Sequence, residues 1–296
     1  MNRVLAHIDN HLDQPLSTDS LAEVAHFSPY HFHRLFSAWT GEPLGEYLRR
    51  RRVEVAAMRL ASQPRLSVMN TALSVGFGSG EAFSRAFKVR FGCSPSNWRT
   101  DELRRRSEKS NPSQVNRKIG HVVPEQREKN AASNQQREAA MRVQLVNRPP
   151  VKIAYLRHTG PYGAPISKFW IDTVAPWMAE NDLMDRPRYG ISHDDPEITA
   201  PSNCRYDAGV AIEEGHVYSG NAQYMEIPGG RYAALQFEDT LDKFANAWAS
   251  LLRDWLPSSG LQLDARPCFE HYPVSSRYNP ETGVMSCELC IPVAPL

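Results

Sequence analysis

An internal repeat with an offset of 51 residues constrains the first third of this chain more than any other feature. The segment SPYHFHRLFSAWTG, which begins at Ser28, aligns with SGEAFSRAFKVRFG, which begins at Ser79. Each copy starts with a serine, a residue that helix N-caps favour, and ends with a glycine, which commonly follows the last helical turn. The sequence therefore predicts two copies of one helical unit.

Both copies are predicted to be amphipathic helices, because their apolar residues recur at helical spacing. The residues expected to face a core are Phe32, Leu35, Phe36 and Trp39 in the first copy and Phe83, Ala86 and Phe87 in the second. The opposite faces carry groups that can hydrogen-bond to base edges or phosphates. These outward residues are Tyr30, His33, Arg34 and Ser37 in the first copy and Glu81, Ser84, Arg85 and Lys88 in the second.

A second short helix is predicted upstream of each copy, over 17–25 and about 67–75. A tight turn, at 26–28 and 76–79, separates each pair. Helix, short turn and helix form the helix-turn-helix plan, in which the second helix enters the DNA major groove. A plain helical bundle has the same apolar stripes, so periodicity alone leaves both interpretations open.

The stretch GFGSGEAFSRAFKVRFGCSPSNWR at 76–99 resembles the signature of AraC/XylS-type regulators, and residues 21–61 resemble their first helix-turn-helix and connecting helix. The resemblance implies an all-α double helix-turn-helix DNA-binding domain, placed at 1–105, and double-stranded DNA as the partner. A connecting helix at 44–61 would hold the two reader helices at adjacent major-groove segments. The matching positions include Gly80, which can donate only its backbone N–H.

Charge and composition divide the chain further. Residues 1–140 contain 21 basic and 14 acidic side chains, whereas residues 141–296 contain 13 and 19. The basic surplus suits a nucleic-acid partner, although a solvated surface gives the same count.

Residues 106–140 are polar and poor in large apolar groups, which predicts a flexible linker. The arginines at 49–52 are open to two interpretations, phosphate contacts or pairs with nearby acids.

Residues 141–296 alternate short β-like runs with two helical patterns, which predicts an α+β domain. One helix is expected at 240–256, with Thr240 as its N-cap, and another near 166–181, where Pro176 should shorten or kink it. Segments such as HTGPYG at 158–163 and EIPGGRYAAL at 226–235 resemble a GyrI-like domain. The resemblance implies two β-α-β-β units around a groove that binds a small, often cationic and aromatic, effector.

The position that matches the buried acid of that family is Glu288, on the last predicted strand. Strand alternation places Glu288 with Ser286 and Cys290, so a solvent-facing carboxylate is the alternative. A carboxylate buried beside aromatic rings would need a counter-charge, which a ligand cation could supply. The aromatic candidates for the pocket lining are Trp170, Trp177, Tyr206, Phe269 and Tyr272. For each of them, packing in the protein core is the alternative.

Together these patterns predict a cytoplasmic transcription regulator, an activator that contacts RNA polymerase, whose second domain binds a small-molecule effector. Two alternatives stay open for that domain: a hydrolase that uses Glu288 and Tyr162, and a protein-docking surface without a ligand. Cys287 and Cys290 lie three positions apart on a strand and point to opposite faces, so they cannot share a metal. The sequence predicts no catalytic residue, cofactor, metal site or membrane segment.

Overall fold

The computed structural model describes residues 1–63, 65–110, 143–213, 218–264, 266–279 and 281–296. The chain divides into two units, Met1–Arg105 and Arg106–Leu296. The last helix of the first unit continues to Ser110, so the first residues of the predicted linker are helical. The rest of that predicted linker, 111–140, lies outside the described residues.

The described part of the first unit is helical throughout, with short connections. The helices are α1 (Asn2–Asn10), α2 (Thr18–Ala25), α3 (Pro29–Thr40), α4 (Leu44–Ser62), α5 (Val68–Ser74), α6 (Gly80–Phe91) and α7 (Pro95–Ser110). Two helix-turn-helix pairs, α2 with α3 and α5 with α6, are therefore present, and α4 connects them.

The two copies of the repeat begin and end in the same way. The Ser28 hydroxyl accepts the His31 N–H at 3.5 Å, and the Ser79 hydroxyl accepts an N–H of the same helical position at 3.2 Å. Gly41 and Gly92 follow the last turns with φ of 77° and 74°. Because a Cβ disfavours this left-handed conformation, glycine allows a sharp exit from both helices.

The core of the first unit uses a narrower stripe of each helix than the periodicity predicts. Phe32, Phe36, Phe83 and Phe87 are fully buried, and Phe36 packs edge-on against Tyr47 of α4 at 5.3 Å. By contrast, the predicted core residues Leu35 and Trp39 are 43% and 62% exposed. Periodicity gives a residue's angle around the helix, but it does not tell how far along the helix the neighbouring helices reach.

Three of the four arginines at 49–52 are used inside the unit. Arg50 pairs at 2.9 Å with Glu54, which is fully buried, and Arg51 pairs at 2.8 Å with Asp9 of α1. Arg52 donates to backbone carbonyls between α1 and α2. Arg50 and Arg51 therefore pair with nearby acids, as the second interpretation predicts, whereas Arg52 binds backbone carbonyls.

The second unit contains an antiparallel sheet. Its strands are β1 (Val143–Arg148), β2 (Val151–Thr159), β3 (Arg188–Ser192), β4 (Arg205–Ala211), β5 (Gln223–Ile227), β6 (Gly230–Thr240), β7 (Leu261–Leu263), β8 (Phe269–Tyr272) and β9 (Val284–Pro295). The strand order is β1-β6-β9-β8-β3-β4-β2-β5, and β7 pairs with β9. The helices of this unit are α8, over 164–180, and α9, over 241–258. Two β-α-β-β units, β2-α8-β3-β4 and β6-α9-β8-β9, meet where β3 pairs with β8.

Both helices contain a wide π-helical turn. In α8, Ala164–Phe169 and Ala175–Glu180 flank the π turn Trp170–Val174. In α9, the π turn Ser250–Trp255 follows Phe244–Ala249. Pro176 supplies no N–H, and the wide turn just before it lets α8 continue, so the predicted shortening does not occur.

The helices cover one face of the sheet. Val174, Met178 and other α8 side chains pack on Ala154, Ala208 and Val210, while α9 packs on Leu289 and Ile291. The alternate strand residues form a separate apolar cluster on the opposite face; they include Ile153, Tyr189, Tyr232, Phe269 and Cys290. Among the described residues, no helix is long and apolar enough to cross a membrane.

Candidate nucleic-acid interface and candidate ligand pocket

Helix α3 presents three of the predicted DNA-contacting side chains to solvent. Tyr30 is 67% exposed, and His33 and Arg34 are exposed beside it. The Arg34 guanidinium donates to the Tyr30 hydroxyl at 3.4 Å and lies 5.9 Å from the ring centre. Tyr30 therefore limits the orientations of the Arg34 side chain before any partner binds. The fourth residue, Ser37, is half-buried, and its hydroxyl has no hydrogen-bond partner among the described residues.

Helix α6 exposes Glu81, Arg85 and Lys88, whereas Ser84 is half-buried. Gly80 is the first residue of the helix, and an added Cβ would meet only the Met69 sulfur, at 3.4 Å. That distance is an ordinary van der Waals contact, so the site has room for a small side chain. The glycine leaves the helix N-terminus open for an approaching backbone or phosphate.

Helix α4 is fixed to both of these helices. The ring of Tyr47 packs on α3, and the buried Glu54 carboxylate accepts from Arg90 of α6 at 3.2 Å. Arg49 is the exposed member of the arginine run on α4. The two exposed faces of α3 and α6 are thus parts of one rigid helical unit, as the reading of two DNA segments by one chain requires.

The second unit contains a buried acid among aromatic side chains. Glu270 of β8 is 4% exposed. Its Oε2 accepts from the hydroxyl of Tyr206 at 2.7 Å and from that of Tyr272 at 3.0 Å. The side chain of Trp248, on α9, also lies beside the carboxylate and lowers its pKa. The group lies where the two β-α-β-β units meet, so each unit contributes to it.

Gly190 of β3 makes room for this group. It pairs with Glu270 in the sheet, and a Cβ added to it would lie 2.0 Å from the Tyr206 oxygen and 2.1 Å from Glu270 Oε2. Any larger residue would therefore separate the tyrosine from the acid. Glycine inside a strand often marks such a close approach.

Trp170 completes the group from the side of α8. Its indole N–H donates to the Tyr206 oxygen at 3.2 Å, and its ring centre lies 6.3 Å from that of Tyr272. Trp170 begins the π turn of α8, and Trp248 precedes the π turn of α9. Such turns occur frequently at functional sites, because they reorient side chains without ending the helix. We call Glu270, Tyr206, Tyr272, Trp170 and Trp248 the acid–aromatic cluster.

Burial raises the pKa of Glu270, and the hydrogen bonds that it accepts offset only part of that rise. Burial also raises the pKa of Tyr206 and Tyr272, with the nearby acid as the next cause, so both remain hydroxyl donors. No Lys, Arg or His of the described residues forms an ion pair with Glu270. The cluster can therefore accept a cation or keep a proton on the acid.

Glu288 lies on the opposite face of the sheet and has its own partners. Its carboxylate accepts from Arg148 at 2.6 Å and from Gln236 at 2.7 Å, and His271 Nδ1 lies 2.5 Å away. These contacts, led by that of His271, lower the pKa of Glu288 to about 2. The structure thus brings Trp170, Tyr206 and Tyr272 together around Glu270. Glu288, the predicted pocket acid, is not part of this group.

Three other predicted residues also lie apart from the acid. Phe269 packs with Tyr232 on the face of the sheet away from the helices, at 5.1 Å between ring centres. The indole N–H of Trp177 donates to the Ser219 carbonyl at 2.8 Å. The Tyr162 hydroxyl donates to the carbonyl of Arg205 at 2.7 Å, so it does not meet Glu288 as the hydrolase alternative requires.

Glu270, Trp248 and Gly190 were missed as site residues by the sequence analysis. A lone glycine within a strand pattern was the available signal for Gly190. Glu270 stands between Phe269 and His271, and alternation alone does not tell which of these faces the helices cover. Among the described residues, no group of three or more His, Cys, Asp or Glu side chains could hold a metal ion.

Comparisons with known proteins agree with this division of the chain. Residues 141–294 match a family described as GyrI-like small molecule binding domain, and residues 21–101 match a helix-turn-helix domain family. The regulatory protein SoxS of Escherichia coli (strain K12) is 36% identical over 96 residues, which are 32% of this chain and 89% of SoxS.

Two further relatives each match one part of the chain. The right origin-binding protein of Escherichia coli (strain K12) is 39% identical over 98 residues, which are 32% of this chain and 33% of that protein. The SPbeta prophage-derived protein YosT of Bacillus subtilis (strain 168) is 28% identical over 154 residues. That match covers 52% of this chain and 99% of YosT.

Proposed function

The chain belongs to the GyrI-like small molecule binding family, and we propose that this domain of a DNA-binding transcription regulator binds a cationic aromatic effector at Glu270. The observation that carries the proposal is the buried carboxylate of Glu270, which has aromatic neighbours and no cationic partner among the described residues. The N-terminal AraC-type helix-turn-helix domain makes the protein a DNA-binding regulator.

The effector chemistry follows from the cost of burying a charge. An ionised carboxylate without a counter-charge is strongly disfavoured in a buried site, so an incoming cation gains the attraction that the protein leaves unused. Aromatic faces attract the same cation and cover an aromatic ligand. Trp170, Trp248 and Tyr272 supply these faces. A planar or multi-ring cation satisfies both requirements.

DNA recognition is assigned to the exposed faces of α3 and α6. Arg34 and Arg85 can each donate two hydrogen bonds to guanine, and Glu81 can accept from a cytosine amino group. Tyr30 orients Arg34 through the hydrogen bond and ring contact described above. Because α4 holds both helices, one chain would read two major-groove segments about 34 Å apart.

Activation through contact with RNA polymerase, and a cytoplasmic location, complete the proposal. A chain that reads both segments by itself acts on transcription by recruiting or blocking the polymerase that binds beside it. Transcription of a selected promoter by purified polymerase, with and without the protein, tests the sign. The relative SoxS is a regulatory protein by name, and we propose no catalytic activity.

The effector site is tested with tetraphenylphosphonium, a permanently charged aromatic cation, by calorimetric titration of the full chain. We expect Glu270→Gln to weaken binding roughly 10-fold or more, since it removes a buried charge interaction. Glu288→Gln is the matched control, because it makes the same change on the opposite face of the sheet. Equal affinity in the wild type and in both variants would contradict the assignment.

The DNA readers are tested by selecting bound sequences from random duplex DNA with the full chain. We expect a bipartite motif, and Arg34→Ala and Arg85→Ala should each relax one half of it. Arg65→Ala removes an exposed arginine between α4 and α5 and serves as the control. Binding that depends on salt but not on sequence would refute base reading by these helices.

A further inference from the structure

Arg188 is a second charged residue beside the acid–aromatic cluster. It is the first residue of β3 and lies two positions before Gly190, so the two share a face of the strand. Arg188 pairs with Tyr272 in the sheet, and its guanidinium lies over that ring, 5.8 Å from the centre. The hydroxyl of the same tyrosine donates to Glu270. One aromatic side chain therefore contacts both the acid and the arginine.

The guanidinium of Arg188 has unused hydrogen-bond donors. The residue is half-buried, and within the described part of the chain it forms neither a hydrogen bond nor an ion pair. Other arginines of this domain are neutralised: Arg157 pairs with Asp207, and Arg205 pairs with Asp194. A half-buried guanidinium with five N–H donors and no hydrogen-bond acceptor among the described residues is a site for an anionic group.

From this juxtaposition we propose that the effector carries an anionic group, a carboxylate or a phosphate, which Arg188 binds while Glu270 binds its cationic end. The inference rests on the proposed function, because it adds a second anchor to the same pocket. A ligand with only a positive charge gains from the acid but is repelled by the arginine. A zwitterionic aromatic ligand matches both charges, and the ring of Tyr272 lies between them.

The anion also sets a geometric requirement on the ligand. The planar guanidinium can bind a carboxylate or phosphate through two parallel hydrogen bonds, which fix its orientation as well as its charge. The cationic end must then reach past Tyr272 toward Glu270. The two charges of the ligand therefore lie at opposite ends of a rigid aromatic body rather than on adjacent atoms.

The test uses one rhodamine dye in two forms, the methyl ester, which is a cation, and the free acid, which is a zwitterion. Fluorescence anisotropy gives the dissociation constants of both forms for the full chain. We expect the wild type to bind the free acid roughly 10-fold more tightly than the ester. Arg188→Gln should reduce this preference to within about twofold, and it should not weaken binding of the ester.

Two variants distinguish an effect of the Arg188 charge on binding from an effect of Arg188 on folding. Arg188→Lys keeps the positive charge and should retain part of the preference for the free acid, whereas a purely structural arginine would give the same loss in both variants. Arg186→Gln removes a neighbouring arginine that pairs with Glu213 and should leave the preference unchanged. Thermal unfolding of each variant confirms that it is folded at the assay temperature.

The outcomes distinguish this inference from the function on which it rests. If Glu270→Gln weakens both dyes but the wild type does not prefer the free acid, the anion site is wrong and the cation site stands. The anion site is also wrong if Arg188→Gln still binds the free acid more tightly than the ester. If neither dye binds, or if Glu270→Gln changes neither affinity, the proposed function fails and the anion site fails with it.

Discussion

Replacing Gly190 by alanine should disrupt the effector site while leaving the fold intact. The added Cβ would lie 2.0 Å from the Tyr206 oxygen and 2.1 Å from Glu270 Oε2, far inside van der Waals contact. The two side chains must therefore move apart, and their hydrogen bond of 2.7 Å is lost or lengthened. A hydrogen bond to a charged group contributes about 1.5–3 kcal/mol, so we expect effector affinity to fall by roughly 10- to 100-fold.

The assay is calorimetric titration with tetraphenylphosphonium, combined with the melting temperature of each variant. Gly209→Ala is the matched control, because Gly209 lies in the neighbouring strand β4 and its added Cβ would meet the end of the Ile153 side chain at 2.6 Å. The Cδ1 methyl is the far end of a side chain and can rotate to another rotamer, whereas the acid is held by two tyrosine hydroxyls. Wild-type affinity in a folded Gly190→Ala protein would refute the role of the Tyr206–Glu270 pair.

Three further predictions concern charged groups. Glu54→Gln should destabilise the helical unit by about 1.5–3 kcal/mol, because it removes the charge of a fully buried acid that pairs with Arg50 and Arg90; a lowered melting temperature checks this, with exposed Glu46→Gln as the control. Since the folded pKa of Glu288 is about 2, below its ordinary 4.5, its stabilising contribution is present above pH 4.5 and is lost as the pH falls toward 2. Acid unfolding of wild type and Glu288→Gln, whose curves should differ less at low pH, measures this. The pKa of Glu270 is raised, so affinity for tetraphenylphosphonium should increase as the pH rises through it; a pH-independent affinity in the wild type would contradict an ionised carboxylate as the binding group.

Local signals determined the first unit to a large extent. Ser28 and Gly41 cap one helix, their counterparts 51 residues later cap the other, and both act through the backbone of their own segment. Such signals need no distant contact, so the sequence alone predicts where these helices begin and end. The family resemblance added the order of the two domains, which the comparisons confirm.

Side-chain burial in the first unit was decided by tertiary packing. Leu35 and Trp39 have the spacing of core residues, yet they are exposed because the neighbouring helices cover only the stripe of Phe32 and Phe36. The arginine run is a similar case. Its residues have the composition of a phosphate-binding patch, but the buried Glu54 and the acid of α1 attract two of them inward.

The acid–aromatic cluster shows the same division most clearly. The sequence by itself identified an α+β domain with aromatic candidates and a carboxylate, and Trp170, Tyr206 and Tyr272 are in the acid–aromatic cluster. Strand alternation assigns residues to two faces, but only the packing of α8 and α9 decides which face becomes the buried site. That packing encloses Glu270, which has no cationic partner among the described residues, and leaves Glu288 beside Arg148. The sequence could not predict this, because strands buried on both faces carry no signal that distinguishes the two faces.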